Sequence, residues 1–296
     1  MNQTNSKPSI LLKLFPFMLW LKGYEPSFLK KDALAGLTVA AVLIPQSMAY
    51  AILAGLPPVY GLYAAVSAPI IGALWGSLRQ LATGPIAIMS LLVLTTLSPM
   101  AEPGSPEFIE LAFLLALLVG EIQGGLPIPQ MHTFDIGVIS SLIGPATVIA
   151  LVSFAETYSV GKAISSETKQ KLDVDQEFIG QGLANLMGSF FQSYPVSGSF
   201  SRTAINFASG AKTGIACAIS SLTVIVSLLF LTPIFTYIPK TPLKYLLLDL
   251  QAITILFKQL DHVYCKNQCP YALFNECPEV KSKQLPDGDY GIDDNC

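Results

Sequence analysis

SYPVSGSFSRTAIN, residues Ser193–Asn206, decides how this chain is read. Pro195, Gly198 and four serines (Ser193, Ser197, Ser199, Ser201) come just before Arg202, and helix-compatible residues follow. In water such a stretch is an ordinary loop leading into a helix. At bilayer depth, non-helical backbone survives only where it is buried in protein or lines a cavity. The solvent of the chain therefore has to be settled first.

Composition settles it. Of 296 residues, 52% are hydrophobic and only 12% charged, where soluble domains carry about a quarter. Mean hydropathy is +0.54. No Asp, Glu, Lys or Arg lies between Asp32 and Arg79, and none lies in 80–101, 136–155, 178–201 or 213–239. Spanning a bilayer takes about 20 apolar residues, so these runs hold several spans of a polytopic membrane protein. Basic residues are scattered, which excludes a nucleic-acid footprint, except for Lys7, Lys13, Lys22, Lys30 and Lys31. That group precedes the first span and places the N-terminus in the cytoplasm. Ile10–Leu21 is too short and too Lys-flanked to span, lacks a small-residue cleavage site, and is expected as an amphipathic surface helix with Phe15, Phe17 and Trp20 toward lipid. Four of five cysteines (Cys265, Cys269, Cys277, Cys296) lie in the tail without a fourth ligand at standard spacing, so free thiols are expected there and no metal or cofactor.

Along the chain, Asp32–Leu53 reads as a first span whose apolar run is broken by IPQS (Ile44–Ser47), where Pro45 removes a backbone donor mid-helix. Gln46 is then an amide at depth that needs either a neighbouring partner or a polar cavity. A Pro-Pro turn leads into a Gly/Ala-rich span, Tyr60–Trp75, suited to close helix packing. TGPIAIMS (Thr83–Ser90) opens a short apolar segment. Ile109–Ile122 begins a span that ends near Gln123 after only about 14 residues, well below a full crossing. Ile136–Ile164 is the next span, with Glu156 inside it; Ser165–Glu177 reads as a solvated loop, Phe178–Phe191 as a short helix, and Ile215–Phe235 as a long span.

Two short, Gly/Pro-interrupted segments stand out, TGPIAIMS in the first half and SGSFSRTAIN in the second. A matched pair of this kind points to the midplane site of an inverted-repeat transporter. The chemistry favours an anion: half-helix N-termini offer unsatisfied N–H groups and a positive dipole end, serines add donors, and Arg202 adds a permanent charge. Arg202 is otherwise a helix-end residue reaching the interface, or one neutralised by Glu156. Glu156 is correspondingly either a structural partner of Arg202 or a carboxylate coupling a proton or cation to anion entry. An intramembrane enzyme is not supported: no Ser/His, Asp/Asp or His-x-x-x-His pair lies at depth, and His132 and His262 fall in loops.

GLTVAAVLIPQSMAYAILAGLPPVYGLYAA, LATGPIAIMSLLV, FAETYSVGKAI, DQEFIGQGLANLMGSFFQSYPVSGSFSRTAINFASGAKTG and LLFLTPIFTYIP together resemble the sulfate permease (SulP, SLC26-type) family of anion transporters. PLKYLLLDLQAIT (Pro242–Thr254) resembles the first core strand of that family's STAS domain. The resemblance implies an all-α polytopic membrane fold of two inverted seven-segment repeats with half-helices at the midplane, a core domain moving against a gate domain, and a cytoplasmic STAS domain. It implies an anion site at the facing ends of the third and tenth segments. By motif, that gives Ile86, Ser201 and Arg202, with Gln46 and Tyr50 from the first segment, and Glu156 as the coupling acid. Implied partners are an inorganic anion (sulfate, bicarbonate or chloride), a proton or sodium ion, the lipid bilayer and a second copy in a homodimer.

Against the family pattern, segments are missing between Gln123 and Gly124, after Pro239 and after Thr254. The chain therefore divides into a cytoplasmic N-terminal segment (1–31), first-repeat segments (32–123), second-repeat segments (124–239), a STAS remnant (240–254) and a polar cytoplasmic tail (255–296). The expected function is secondary active sulfate transport, by proton symport or anion exchange. The alternative is a non-transporting truncated product or a dimerising regulator of a full-length permease.

Overall fold

A computed structural model of the chain describes residues 16–21, 23–124 and 136–235. The expected STAS remnant, the polar tail with its four cysteines, and residues 1–15 of the N-terminal segment lie outside the described residues.

Within the described residues a short helix, α1 (Phe17–Leu21), precedes two similar successions. The first is α2 (Pro26–Leu53), α3 (Pro58–Trp75), strand β1 (Thr83–Gly84), a half-length helix α4 (Ala87–Leu97) and α5 (Pro106–Gly124). The second is α6 (Ile136–Thr168), α7 (Val174–Phe190), β2 (Ser197–Gly198), a half-length helix α8 (Phe200–Ala208) and α9 (Ile215–Phe235). Each succession reads long helix, helix, strand, half-helix, helix. β1 and β2 pair antiparallel, Thr83 opposite Gly198 and Gly84 opposite Ser197. Each half-helix thus starts within three residues of the same strand pair, and the two leave it in opposite chain directions.

Three helices are long and apolar enough to cross a membrane by length and composition: Pro26–Leu53, Pro58–Trp75 and Gly137–Thr168. They are not amphipathic in the soluble sense. Leu34, Leu37, Ile143, Leu151, Leu229 and Phe230 stand exposed on the outer faces, as expected where the surrounding solvent is hydrocarbon. Inside, α2 packs on α3 and α9, α3 on α7, and α5 on α6 and α7. Small residues set these distances: a Cβ on Gly61 of α3 would collide with the Ser47 carbonyl of α2. The main apolar core, including Met89, Val93, Phe108, Leu115, Leu142, Ile149 and Leu186, fills the space between α4, α5, α6 and α7.

Several expectations are revised. IPQS interrupts the apolar run of the first span but not its helix: α2 runs through Pro45, as read, and begins earlier, at Pro26. α5 has 19 residues because it starts at Pro106, a residue suited to the first helical position, and runs on to Gly124. The solvated loop shrinks to residues 169–173, since α6 continues to Thr168 and α7 begins at Val174 with Asp173 capping Gln176 N (3.2 Å).

Candidate functional site

The two half-helices begin differently. α8 is capped in the way its sequence foretells: the Ser199 side chain accepts from Arg202 N (3.4 Å), and Ser199 N donates to Ala82 O (3.0 Å). α4 is preceded at its N-cap by Ile86, which holds extended backbone and has no side-chain oxygen with which to cap. The opening amides of α4 are therefore left without the cap that polar residues supply elsewhere.

Beside that uncapped end lies Arg202, fully buried. Its Nη1 donates to Pro85 O (2.8 Å), immediately ahead of Ile86, and to Gln46 Oε1 (2.9 Å). Gln46 in turn donates through Nε2 to the Tyr50 hydroxyl (3.0 Å). Three of the residues singled out from sequence, Tyr50, Gln46 and Arg202, thus form one chain that ends on the Pro85 carbonyl, next to Ile86. The guanidinium passes against the backbone of β1, where a Cβ on Gly84 would sit 3.1 Å from Nη2. Among the described residues, Nε and Nη2 of Arg202 have no hydrogen-bond partner. Ser201, half-buried, lies at the start of α8 with its hydroxyl 3.4 Å from Ser199 Oγ.

Glu156 is not hydrogen-bonded to Arg202. Its Oε2 is buried without a partner, although the two charges are within electrostatic range. The buried Tyr194 hydroxyl lies toward Ser90, whose own hydroxyl donates to Ile86 O (2.9 Å), and finds no partner within hydrogen-bond distance. Around the strand pair, then, a buried cation keeps unused donors, and among the described residues no carboxylate neutralises it by contact. A charge so placed is costly unless something of opposite sign completes it. An anion held by charge-assisted N–H donors at a helix N-terminus is the chemistry that the arrangement can support.

Sequence reasoning missed the residues that hold this geometry. β2 and its approach are fastened by α6 and α7: Val196 N donates to Asn185 Oδ1 (2.8 Å), Gln181 Nε2 to Val196 O (2.7 Å), and Gly198 N to Thr157 Oγ1 (3.1 Å). Ser197 Oγ donates to Ser153 O (3.0 Å). Gln181 and Asn185 are four apart, as are Ser153 and Thr157, so each pair shares one helix face; that spacing was the available signal. On α8, Thr203 Oγ1 accepts from Ala82 N (3.0 Å) and Asn206 Nδ2 donates to Gln80 O (3.0 Å). Of the four serines of the opening stretch, Ser197 serves this stitching and Ser199 caps α8.

The profile of the sulfate permease family matches residues 29–124 and 117–268. Two Arabidopsis thaliana proteins, probable sulfate transporter 4.2 and the chloroplastic sulfate transporter 4.1, are each 29% identical to this chain over 80% of its length. Those matches cover 54% and 53% of the relatives, so the chain spans about half their length. Among solved structures, SLC26A9 is similar with a TM-score of 0.66 at 19% identity, over 76% of this chain and 57% of that one. The transmembrane domain of a cyanobacterial bicarbonate transporter, BicA, is similar with a TM-score of 0.65 at 15% identity, over 73% and 86%. At these identities the likeness is one of fold.

Proposed function

The chain belongs to the sulfate permease family, and from that premise we propose that it forms the anion-binding unit of a secondary active anion transporter with sulfate as its first substrate. The family is one of multi-pass membrane transporters, not of enzymes. The observation that carries the proposal is Arg202, buried at the uncapped start of α4 with two unpartnered nitrogens. The anion sits between the N-termini of α4 and α8. Arg202 supplies charge, the amides that follow Ile86 and the Ser201 hydroxyl supply donors, and Gln46 and Tyr50 hold the guanidinium. Ile88 and Phe200, on the first turns of the two half-helices, are exposed, so this end of the site meets the outside of the bundle. Bicarbonate and chloride are the competing substrates of the same chemistry. Glu156 couples a proton or sodium ion to anion entry, and the working form is a homodimer.

The twofold succession of elements and the antiparallel pairing of β1 with β2 support two inverted repeats. The match to sulfate transporter 4.2 runs over 362 positions, more than the 296 residues here, which supports internal deletion relative to such a permease. The STAS remnant rests on the sequence resemblance of Pro242–Thr254. Because the chain spans about half of its relatives, a second reading is a product that binds the anion without carrying it, or that dimerises with and regulates a full-length permease. Radiolabelled sulfate uptake into proteoliposomes at several pH values separates the two. Uptake above empty vesicles, lost in Arg202→Ala, supports transport. Sulfate bound by the purified chain without uptake selects the second reading.

A further inference from the structure

Two buried carboxylates far from the guanidinium share one unusual task. Asp32, on α2 and fully buried, accepts through Oδ1 from Lys212 N (2.6 Å) and Thr213 N (3.1 Å), and through Oδ2 from the Thr213 hydroxyl (2.6 Å). Glu177, buried in the first turn of α7, accepts through Oε1 from Ser77 N (2.7 Å), Leu78 N (2.7 Å) and the Ser77 hydroxyl (2.9 Å). Each acid takes two consecutive backbone amides and the hydroxyl of one of those residues. The arrangement is also reciprocal: an acid of the first succession holds the loop between α8 and α9, and an acid of the second holds the loop between α3 and β1.

The two loops are tied to each other as well. Gln80 Nε2 donates to Ala211 O (3.0 Å), Gln170 Nε2 to Gln80 Oε1 (2.6 Å), and Asn206 Nδ2 to Gln80 O (3.0 Å). One polar belt therefore runs from Asp32 through residues 211–213 and Gln80 to the loop that Glu177 grips. It fixes the segment leading into β1 and α4 at one end and the segment leaving α8 at the other. Those are the segments whose relative position sets where Arg202 meets Pro85 and the start of α4.

We propose that Asp32 and Glu177 are positioning residues of the anion site, reciprocal clamps that hold the two strand–half-helix segments in register and thereby set anion affinity without touching the anion. The affinity part rests on the site described above; the clamping part does not. A carboxylate that accepts three donors from a loop replaces the water those amides would otherwise need, and charge-assisted bonds of this kind are the strong ones. Truncation takes the acceptor from two consecutive amides, one of them buried (Leu78 N or Thr213 N), so the loop drifts and the strand pair loosens with it.

The test is hydrogen–deuterium exchange by mass spectrometry on the full chain in nanodiscs, combined with sulfate binding, for the wild type, Glu177→Ala, Glu177→Gln and Asp32→Ala. In Glu177→Ala, exchange should rise about ten-fold in 77–86 and also in 199–206, with α6 unchanged. Glu177→Gln, which keeps an accepting oxygen, should fall between, and it decides the matter if the alanine variant does not fold. Asp32→Ala should loosen 199–213. Sulfate Kd should rise with the exchange. Exchange that rises equally in every helix, or only at 77–78 while 199–206 stays protected, would overturn the clamp. If the wild type binds no sulfate, the anion site fails and the exchange data alone still judge the clamp.

Discussion

Arg202 Nη1 lies 2.9 Å from Gln46 Oε1, joining α8 to α2 across 156 residues of sequence. The amide is turned by a second bond, Nε2 to the Tyr50 hydroxyl at 3.0 Å, so that its oxygen and not its nitrogen meets the cation. Gln46→Leu keeps the volume and removes the acceptor. Stability should fall by about 1–3 kcal/mol, the cost of a buried charged donor losing one of its two acceptors, read as a lower Tm in detergent. Tyr50→Phe, which removes the group that turns the amide, should cost less.

Gly84 lies against the guanidinium, and a Cβ there would stand 3.1 Å from Arg202 Nη2. Gly84→Ala should displace the nitrogen that has no protein partner by a few tenths of an ångström. Sulfate Kd should rise about ten-fold, a loss of roughly 1.4 kcal/mol, while Tm changes little. An unchanged Kd measured by equilibrium dialysis would place the anion elsewhere.

Gly61 is a packing position with no part in the site. A Cβ there collides with the Ser47 carbonyl, which is helical backbone and cannot swing aside. Gly61→Ala should force α2 and α3 apart and cost about 3 kcal/mol, the upper end of overpacking penalties. It is read as a large drop in Tm and in the yield of monodisperse protein.

Glu156 carries a buried oxygen without a partner and stands in electrostatic range of Arg202. If it couples protons to sulfate, uptake in proteoliposomes should climb as external pH falls. Glu156→Gln should then flatten that profile, because the amide stays neutral at every pH. A profile unchanged by the substitution would remove the coupling role.

The opening stretch of serines, Pro195 and Gly198 was legible as a break before a half-helix because polar, helix-interrupting residues are conspicuous in an apolar chain. So was the need of Gln46 for a partner. Its identity was not, since Arg202 is remote in sequence and Glu156 offered the more obvious pairing by charge. Glu177 read as part of a solvated loop for the same reason: local charge density favours solvent, and the backbone amides that bury it belong to Ser77 and Leu78, about 100 residues away. Asp32 looked like the edge of a span and is a clamp. Pro45 was legible as a proline inside the first span, and α2 runs through it. What the residues could not disclose was long-range backbone pairing, and the antiparallel contact of Thr83–Gly84 with Ser197–Gly198 is the feature on which the site depends.

The most direct measurement is equilibrium binding of radiolabelled sulfate to the purified full chain in nanodiscs, wild type against Arg202→Ala and Arg202→Lys. An anion held by Arg202 at the start of α4 requires saturable binding in the wild type. It also requires loss by about a hundred-fold or more in Arg202→Ala, on the scale of a removed buried charge partner, and incomplete recovery in Arg202→Lys, which lacks the planar fork. Saturable sulfate binding of equal affinity in Arg202→Ala, with the variant folded, would contradict the site.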